Sequence, residues 1–200
     1  MKILIACEES QTVCKAFRAL GFEAYSCDIQ ECSGGHPEWH IQGDAIIEAY
    51  SWKYDMMIAH PPCTYLCVPW AHYLHTREGR WEKMLEAKEF FIKLKNAPIN
   101  YIVLENPVPH RYAELPKYDQ IIHPWQFGQE FSKRTCLWIK NLPKLTPTDI
   151  RENHWERYYR LDGSSSNSKW YAGASQKERS KTFQWIADAM ASQWSKFLTQ

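Results

Sequence analysis

The sequence predicts an α/β fold, a single domain with an open, mostly parallel, Rossmann-like sheet and helices on both faces. Three observations predict it. Short apolar runs of strand length recur along the chain, segments with the apolar spacing of a helix alternate with them, and glycine or proline marks many of their ends. Alternating strands and helices are typical of βαβ units, whose strands pair in parallel. With 200 residues, 44% of them hydrophobic, the chain suits one such core.

Two strand–helix–strand units are predicted first. In order, the segments are KILIAC, SQTVCKAFRALG, FEAYSCD, then WKYDMMIAH, RWEKMLEAKEFFIKLK and NYIVLENP. Helical spacing places the apolar residues of the long second helix on one side, namely Trp81, Met84, Leu85, Phe91 and Ile92. QIIHPWQFG and TCLWIKNLPKL follow as shorter strands, and SKTFQWIADAMASQWSKFL is a closing helix.

Composition restricts the compartment and the partners. The net charge of +1 provides no general attraction for nucleic acid or for an anionic membrane, so any such surface must be local. Seven cysteines, an odd number, favour free thiols over a disulfide framework. MKILIACEES meets two glutamates too early for a signal peptide, and no stretch approaches the roughly 18 apolar residues of a membrane span. We therefore expect a cytoplasmic protein without membrane contact.

Reactive residue types lie where the predicted strands end. Because ligands bind at the carboxyl ends of parallel strands, the endings CEES, CD, HPPC and ENP are expected at one functional edge. The two prolines before Cys63 fix the backbone and produce a bend. A thiolate on that bend can act as a nucleophile or a metal ligand, while burial would make Cys63 a small apolar residue.

The order of these motifs resembles the carbon-5 cytosine DNA methyltransferases, in particular small, phage-type members. The motifs are Asp28, Gly43-Asp44, Pro61-Pro62-Cys63, Glu105-Asn106-Pro107-Val108 and SKRTCLWI. The resemblance covers much of residues 1–140 and, more weakly, the last helix. It implies an enzyme in which Cys63 adds to carbon 6 of cytosine, a protonated Glu105 holds ring nitrogen 3 and Arg134 binds the ring oxygen.

The resemblance implies S-adenosylmethionine as the cofactor. Asp28 would bind its ribose and Asp44 its adenine amino group, with Pro61 beside them. Where the family has a glycine-rich loop, this chain has CEESQ, so Glu8 or Ser10 is expected to contact the methionine part instead.

Nucleic acid is the expected partner, DNA first, with RNA or a free nucleotide as alternatives. Only 38 residues separate LWIKN from the closing segment, too few for a separate target-recognition domain. Residues 151–181, with seven Lys or Arg against four Asp or Glu among aromatic residues and serines, are predicted to be a basic aromatic loop in its place. Residues 1–200 would then be one methyltransferase-like domain, and a protein partner could supply target recognition.

Three alternatives remain open. A zinc-dependent nucleobase deaminase would use His36, Glu38, Cys63 and Cys67. An aminomethyltransferase acting on an exocyclic nitrogen is a nearer relative, but His60 and Cys63 differ from its motif. A catalytically silent binding protein with the methyltransferase fold is the third. Zinc-like spacing also occurs at Cys27, Cys32, His36 and His40, although we expect no metal.

Overall fold

The computed structural model describes residues 1–152 and 181–199, together with residues 158, 159, 165, 166, 173 and 175. The predicted basic aromatic loop at 151–181 therefore lies almost entirely outside the described residues. Within it, a two-stranded antiparallel pair is described, β8 (Tyr158–Tyr159) with β9 (Ser165–Ser166).

Most of the remaining elements agree with the predicted segments, but the strand His40–Gln42 and the helix Ala45–Ala49 were not predicted, and only Gln120–Ile122 of the predicted strand QIIHPWQFG is a strand. The strands are β1 (Lys2–Ala6), β2 (Glu23–Asp28), β3 (His40–Gln42), β4 (Met56–Ala59), β5 (Tyr101–Pro107), β6 (Gln120–Ile122) and β7 (Thr135–Lys140). The α-helices are α1 (Thr12–Ala19), α2 (Ala45–Ala49), α3 (Arg80–Lys95) and α4 (Gln184–Leu198). Short 3-10 helices occupy Pro37–Trp39, Val68–His75, Arg111–Ala113 and Pro124–Gln126.

In the described part of the chain, seven strands form one sheet in the order β3-β2-β1-β4-β5-β7-β6. The five strands from β3 to β5 pair in parallel, and β7 runs antiparallel to both β5 and β6. The direction changes after β5 because the chain returns through loops and short 3-10 helices, without a crossover helix. The predicted α/β fold with a mostly parallel sheet is confirmed.

Alternation along β1 explains why helices cover both faces of the sheet. Ile3 and Ile5 belong to one buried cluster, which includes residues of α1 and α4, and Leu4 and Ala6 belong to the other, with residues of α2 and α3. Successive strand residues point to opposite faces, so a strand buried on both sides is a continuous apolar run. The run KILIA has that composition.

The predicted apolar face of α3 is partly wrong. Met84 and Phe91 are buried as expected, but Leu94 is the third buried residue, while Trp81 and Leu85 are 38% and 57% exposed. The buried residues of α3 form a narrow stripe, in which Phe91 follows Met84 by seven residues and Leu94 follows Phe91 by three. Side chains outside that stripe stay at the surface, whatever their hydrophobicity.

Strand register brings the expected functional residues to one edge. Ala6 lies opposite Cys27 on one side and Ala59 on the other, and Ala59 lies opposite Leu104. The residues that follow these positions are Cys7, Asp28, His60 and Glu105. The carboxyl ends of β1, β2, β4 and β5 thus bring a thiol, an imidazole and two carboxylates together.

A buried glutamine joins the loops that follow β1 and β2. The Gln11 side chain is fully buried, and its amide nitrogen donates to Ser26 Oγ and to the His36 carbonyl at 3.2 and 2.8 Å. Its amide oxygen accepts from the His36 backbone N–H at 3.0 Å. Cys32 Sγ donates to the same oxygen at 3.1 Å. These bonds pin residues 32–36 onto the β1–α1 loop.

Gly34→Ala is expected to destabilise the protein by about 1–3 kcal/mol, because an added methyl group would overpack this junction. A Cβ at Gly34 would lie 2.5 Å from both Gln11 Cβ and the Ser10 carbonyl oxygen. Urea unfolding measures the effect. Gly43→Ala is the matched control, since its Cβ would meet no atom within 4 Å. Equal stability of the two variants would contradict the described packing.

All seven cysteines are free, as the composition predicted. Across the described residues, no helix combines the length and apolar character that crossing a membrane requires.

Candidate active site

The bend that carries Cys63 is held by backbone and amide hydrogen bonds. The backbone N–H groups of Leu66 and Cys67 donate to the Cys63 carbonyl at 3.0 and 3.1 Å, which closes one helical turn. Pro61 is buried, and its carbonyl accepts from Asn106 Nδ2 at 2.9 Å. Because the prolines lack donors, the turn depends on these few bonds to keep one geometry.

Two further bonds join this turn to the chain that leaves β5. The Val68 backbone N–H donates to the Val108 carbonyl at 3.1 Å, and the His110 N–H donates to the Leu66 carbonyl at 2.9 Å. The His110 ring, buried, also contacts the Tyr65 carbonyl at 2.9 Å. The Cys63 turn and the segment after Glu105 therefore form one unit.

The Cys63 thiol is partly exposed and unusually acidic. A hydrogen bond from the Cys67 thiol lowers the pKa of Cys63 to about 7, although burial and the charge of Glu105 oppose the change. The same bond, together with burial, raises the pKa of Cys67. One turn thus holds a thiolate and its donor four residues apart, a spacing that places both on one face. Such a thiolate is a competent nucleophile near neutral pH.

Beside the thiol, Glu105 forms a buried ion pair with His60. Their side chains are 13% and 12% exposed, and His60 Nδ1 lies 2.9 Å from Glu105 Oε2. Burial alone would raise the pKa of Glu105, but the hydrogen bond and charge of His60 lower it below the usual 4.5. Burial likewise opposes protonation of His60, yet Glu105 raises its pKa above 6.5.

The expectation of a protonated Glu105 stays a prediction. A dry strand end disfavours the carboxylate, whereas His60, a cationic partner 45 residues earlier in the chain, favours it. His60 is the main residue that sequence reasoning missed. Its position directly before Pro61-Pro62-Cys63 was the available signal.

The segment before α4 completes this cluster. Thr182 Oγ1 lies 3.4 Å from His60 Nδ1 and 3.5 Å from Glu105 Oε2, so its hydroxyl is in weak hydrogen-bond contact with both. On the other side of the ring, His60 Nε2 is buried and has no hydrogen-bond partner among the described residues. The imidazole therefore retains one position for hydrogen bonding to a group that is not part of this cluster.

Lys133, the neighbour of Arg134, is a cation whose charge acts on this cluster. The charge of Lys133 lowers the pKa values of Cys63 and Glu105 and opposes protonation of His60. Its Nζ lies 5.4 Å from the centre of the Phe183 ring. Arg134 is exposed, and its charge acts on the buried Cys136. The role predicted for Arg134 stays a prediction.

Asp28 and Asp44, the carboxylates predicted to bind the cofactor, both bond to backbone N–H groups. Asp28 Oδ1 accepts from the Gln30 backbone N–H at 2.9 Å, and Asp44 Oδ1 caps α2 by accepting from the Ile46 N–H at 2.8 Å. Both carboxylates also raise the pKa of the half-buried Cys7 thiol, after desolvation itself. The two side chains therefore combine turn-capping roles with a shared position around the end of β1.

Glu8 does not reach outward as expected. It is 5% exposed, and its two carboxylate oxygens accept from the backbone N–H groups of Val13 and Cys14 at 2.7 and 3.2 Å. The carboxylate occupies the amino terminus of α1, where a ligand anion would otherwise bind. Ser10 lies nearer the surface, with Oγ 3.2 Å from Thr12 Oγ1. The side chain of Glu8 is thus occupied by α1, and the predicted contact of Glu8 or Ser10 with the cofactor stays a prediction.

Metal-ligand sets are not assembled. Within residues 1–152 and 181–199, and the few described between them, no three His, Cys, Asp or Glu side chains are grouped to bind a metal ion. Of the residues with zinc-like spacing, Cys32 bonds to Gln11, and His40 Nδ1 lies 2.9 Å from Ser26 Oγ. His36 stacks on Trp39 instead. The deaminase alternative therefore lacks its ligand set there.

No family model and no curated protein matches the chain. Solved structures similar to it include a candidate DNA modification methyltransferase encoded within an E. coli prophage, at 12% identity and a TM-score of 0.48 over 76% of this chain. Another is the S. pombe Dnmt2 methyltransferase, at 17% identity and a TM-score of 0.43 over 72% of this chain. The aligned part spans about half of each, 52% and 51%.

Cys63 is expected to be alkylated by iodoacetamide with a midpoint near pH 7, because the thiolate is the reactive form. Five other cysteines should react slowly with iodoacetamide because their pKa values are raised, namely Cys7, Cys14, Cys27, Cys67 and Cys136. Peptide mass spectrometry after timed labelling measures each site. Cys67→Ala should move the Cys63 midpoint upward, toward 9.0. An unchanged midpoint in that variant would show that Cys67 does not stabilise the thiolate.

Proposed function

We propose that the chain is an S-adenosylmethionine-dependent methyltransferase acting on carbon 5 of cytosine in nucleic acid, with Cys63 as the nucleophile. One juxtaposition supports this proposal above all, an acidic, partly exposed thiol beside a buried carboxylate–imidazole pair. The negative charge of Glu105 acts on the thiol. Cys63 follows β4, and Glu105 lies near the carboxyl end of the adjacent parallel strand β5. Ligands of such sheets bind at that edge.

The reaction needs these residue types together. Carbon 5 of cytosine is a poor nucleophile until a thiolate adds to carbon 6. Cys63 would form that sulfur–carbon bond, and the displaced electron pair would pass through the ring to nitrogen 3, which then needs a proton. Loss of the proton on carbon 5 later in the reaction expels the thiolate, and return of the nitrogen 3 proton to the group that supplied it restores the neutral ring.

His60 and Glu105 would hold the proton for nitrogen 3. In the ion pair the proton resides on His60 Nδ1, 2.9 Å from Glu105 Oε2. Its transfer to Glu105 makes both side chains neutral and converts the carboxylate into a hydrogen-bond donor. Lys133 would supply the positive charge for the ring oxygen, the role that the sequence assigned to Arg134. A target base in a duplex would have to be flipped out to reach Cys63.

The residues at the carboxyl edge of the sheet suit the nucleoside half of S-adenosylmethionine. The carboxylates of Asp28 and Asp44 both act on Cys7 at the end of β1, and carboxylates suit ribose hydroxyls and an adenine amino group. Ser10 and Pro61 lie on the loops that follow β1 and β4, and Glu8 holds the first of these loops by accepting from the Val13 N–H. When bound, this cofactor supplies an electrophilic methyl group.

The test is incubation with S-adenosylmethionine labelled in its methyl group and a panel of duplex DNA, single-stranded DNA, RNA and dCMP. We expect label on carbon 5 of cytosine in at least one of them, DNA first. Calorimetric titration with S-adenosylmethionine runs in parallel. Neither transfer nor heat of binding would overturn the proposal and favour the silent binding protein. Label on an exocyclic nitrogen would favour the aminomethyltransferase.

A further inference from the structure

A cluster of exposed and half-buried rings begins seven residues after Cys63. We call it the aromatic platform and define it by Trp70, Tyr73, His75, Trp81 and Tyr112. The rings come from the 3-10 helix Val68–His75, from the start of α3 and from the 3-10 helix after β5. The centres of the Trp70 and Tyr73 rings are 5.8 Å apart. His75, Trp81 and Tyr112 form a triangle whose ring centres are 5.4–5.7 Å apart.

Of these five rings, only Tyr112 packs against a core cluster of the described residues. His75 and Trp81 are exposed, and Trp70, Tyr73 and Tyr112 are half-buried. Within Val68–His75 only Leu74 is buried, and Val68 and Trp81 are 52% and 38% exposed. Burying an aromatic ring contributes more than burying most other side chains, so rings are seldom left at the surface in groups without a partner. The grouping therefore indicates a contact surface.

Arginines lie against the rings. The guanidinium of Arg77 is 3.8 Å from the centre of the Tyr73 ring, and that of Arg111 is 4.7 Å from the Tyr112 ring. Arg80 is 4.2 Å from the Tyr65 ring and donates to the Thr64 carbonyl at 2.9 Å, which ties the platform to the Cys63 turn. None of the three forms a salt bridge with a carboxylate among the described residues.

The combination selects one class of partner. Exposed rings offer stacking surfaces for bases whatever their sequence, and guanidinium groups beside them pair with phosphates. In a duplex the base faces are already stacked on each other, whereas the bases of an unpaired strand are free to stack on the platform. The platform therefore favours an unpaired strand. The chain as a whole carries only +1, which means that this attraction is local.

We propose that the aromatic platform binds the unpaired nucleotides next to the target base, so that single-stranded DNA or RNA is the class of substrate presented to Cys63. This inference rests on the proposed function for the identity of the reacting base. The binding surface itself stands on the rings and arginines. Arg80 contacts the Tyr73 ring of the platform and the Thr64 carbonyl of the Cys63 turn. A nucleotide that stacks on the platform would therefore lie beside the turn that carries the thiol.

The experiment measures binding without a methyl donor. Fluorescein-labelled cytosine-containing 12-mers of DNA and RNA, each single-stranded and as a duplex, are titrated with the full chain and followed by anisotropy. Trp81→Ala should weaken single-strand binding about five-fold or more, the effect of losing one stacked base. Arg77→Gln should reduce the salt dependence, lowering the slope of log affinity against log salt by about 0.7.

Trp52→Ala is the matched control, since Trp52 is 79% exposed but precedes β4, at the end of the sheet opposite Cys63. It should bind as the unchanged chain does, and thermal unfolding verifies that all variants are folded. Tighter binding of DNA or of RNA identifies which strand is used, and both results support the inference. Duplex binding as tight as single-strand binding, or wild-type affinity in both platform variants, would overturn it. Retained platform-dependent binding without methyl transfer would instead reject the proposed function alone.

Discussion

Cys63→Ala is expected to abolish methyl transfer to cytosine, with a loss on the order of 10⁴- to 10⁶-fold. The variant keeps the bend, because the Leu66 and Cys67 hydrogen bonds to residue 63 use its backbone carbonyl. It removes the only atom of the residue that can add to carbon 6. Transfer of labelled methyl groups to the best substrate of the panel measures the loss.

Cys67→Ala is the matched control for that loss. It retains the nucleophile but removes the donor that lowers the pKa of Cys63 to about 7, so less thiolate is present at neutral pH. Transfer should fall by roughly ten-fold or less near pH 7.5. More than about 1% residual transfer in Cys63→Ala would exclude the sulfur as nucleophile. Covalent capture provides a second measurement: a strand with 5-fluorocytosine should become attached to Cys63, because fluorine on carbon 5 cannot leave as a proton does.

His60→Ala is expected to destabilise the folded protein by about 3 kcal/mol, because it leaves the Glu105 carboxylate buried without its cationic partner. Urea unfolding at pH 6 measures the difference. Glu105→Gln together with His60→Gln should cost less than His60→Ala alone, since no unpaired charge then remains in the interior. Equal stabilities of wild type and His60→Ala would contradict the ion pair.

The same pair predicts how stability changes with pH. The folded protein raises the pKa of His60 above 6.5, so its contribution is complete below pH 6.5 and is lost as the pH rises through the folded value. It lowers the pKa of Glu105 below 4.5, so that contribution is complete above pH 4.5 and is lost as the pH falls through the folded value. The difference between wild type and the double glutamine variant should therefore be largest between about pH 4.5 and 6.5. A difference that grows steadily above pH 7 would contradict the assignment.

Segments with a strong apolar pattern were predictable because burial against a sheet requires that pattern. The bounds of α3 and the strand at YIVLENP coincide with the predicted segments. The exposed face of α3 was not predictable in the same way. Trp81 has the hydrophobicity of a core residue, but its ring contacts His75 and Tyr112, which reach it from separate segments of the chain.

Within the candidate site, position along the chain was easier to predict than charge state. The carboxyl-edge rule predicted that Cys63 and Glu105 lie at one edge of the sheet. The ionised state of Glu105 depends on His60, and the charge of Lys133 reaches both groups from a separate segment of the chain. Glu8 was assigned to a ligand, whereas the nearest donors available to it are the N–H groups of α1.

The sequence by itself determined the α/β architecture and the edge at which its chemistry lies, because apolar periodicity dictates the strands and parallel strands share one carboxyl edge. Only the tertiary structure decided which groups at that edge contact each other. His60 and Glu105 are 45 residues apart in the sequence, and Thr182, which contacts both, lies 77 residues after Glu105. Protonation depends on burial and on neighbouring charges within a few ångströms, and those neighbours are selected by the packing of separate strands, which no local pattern specifies.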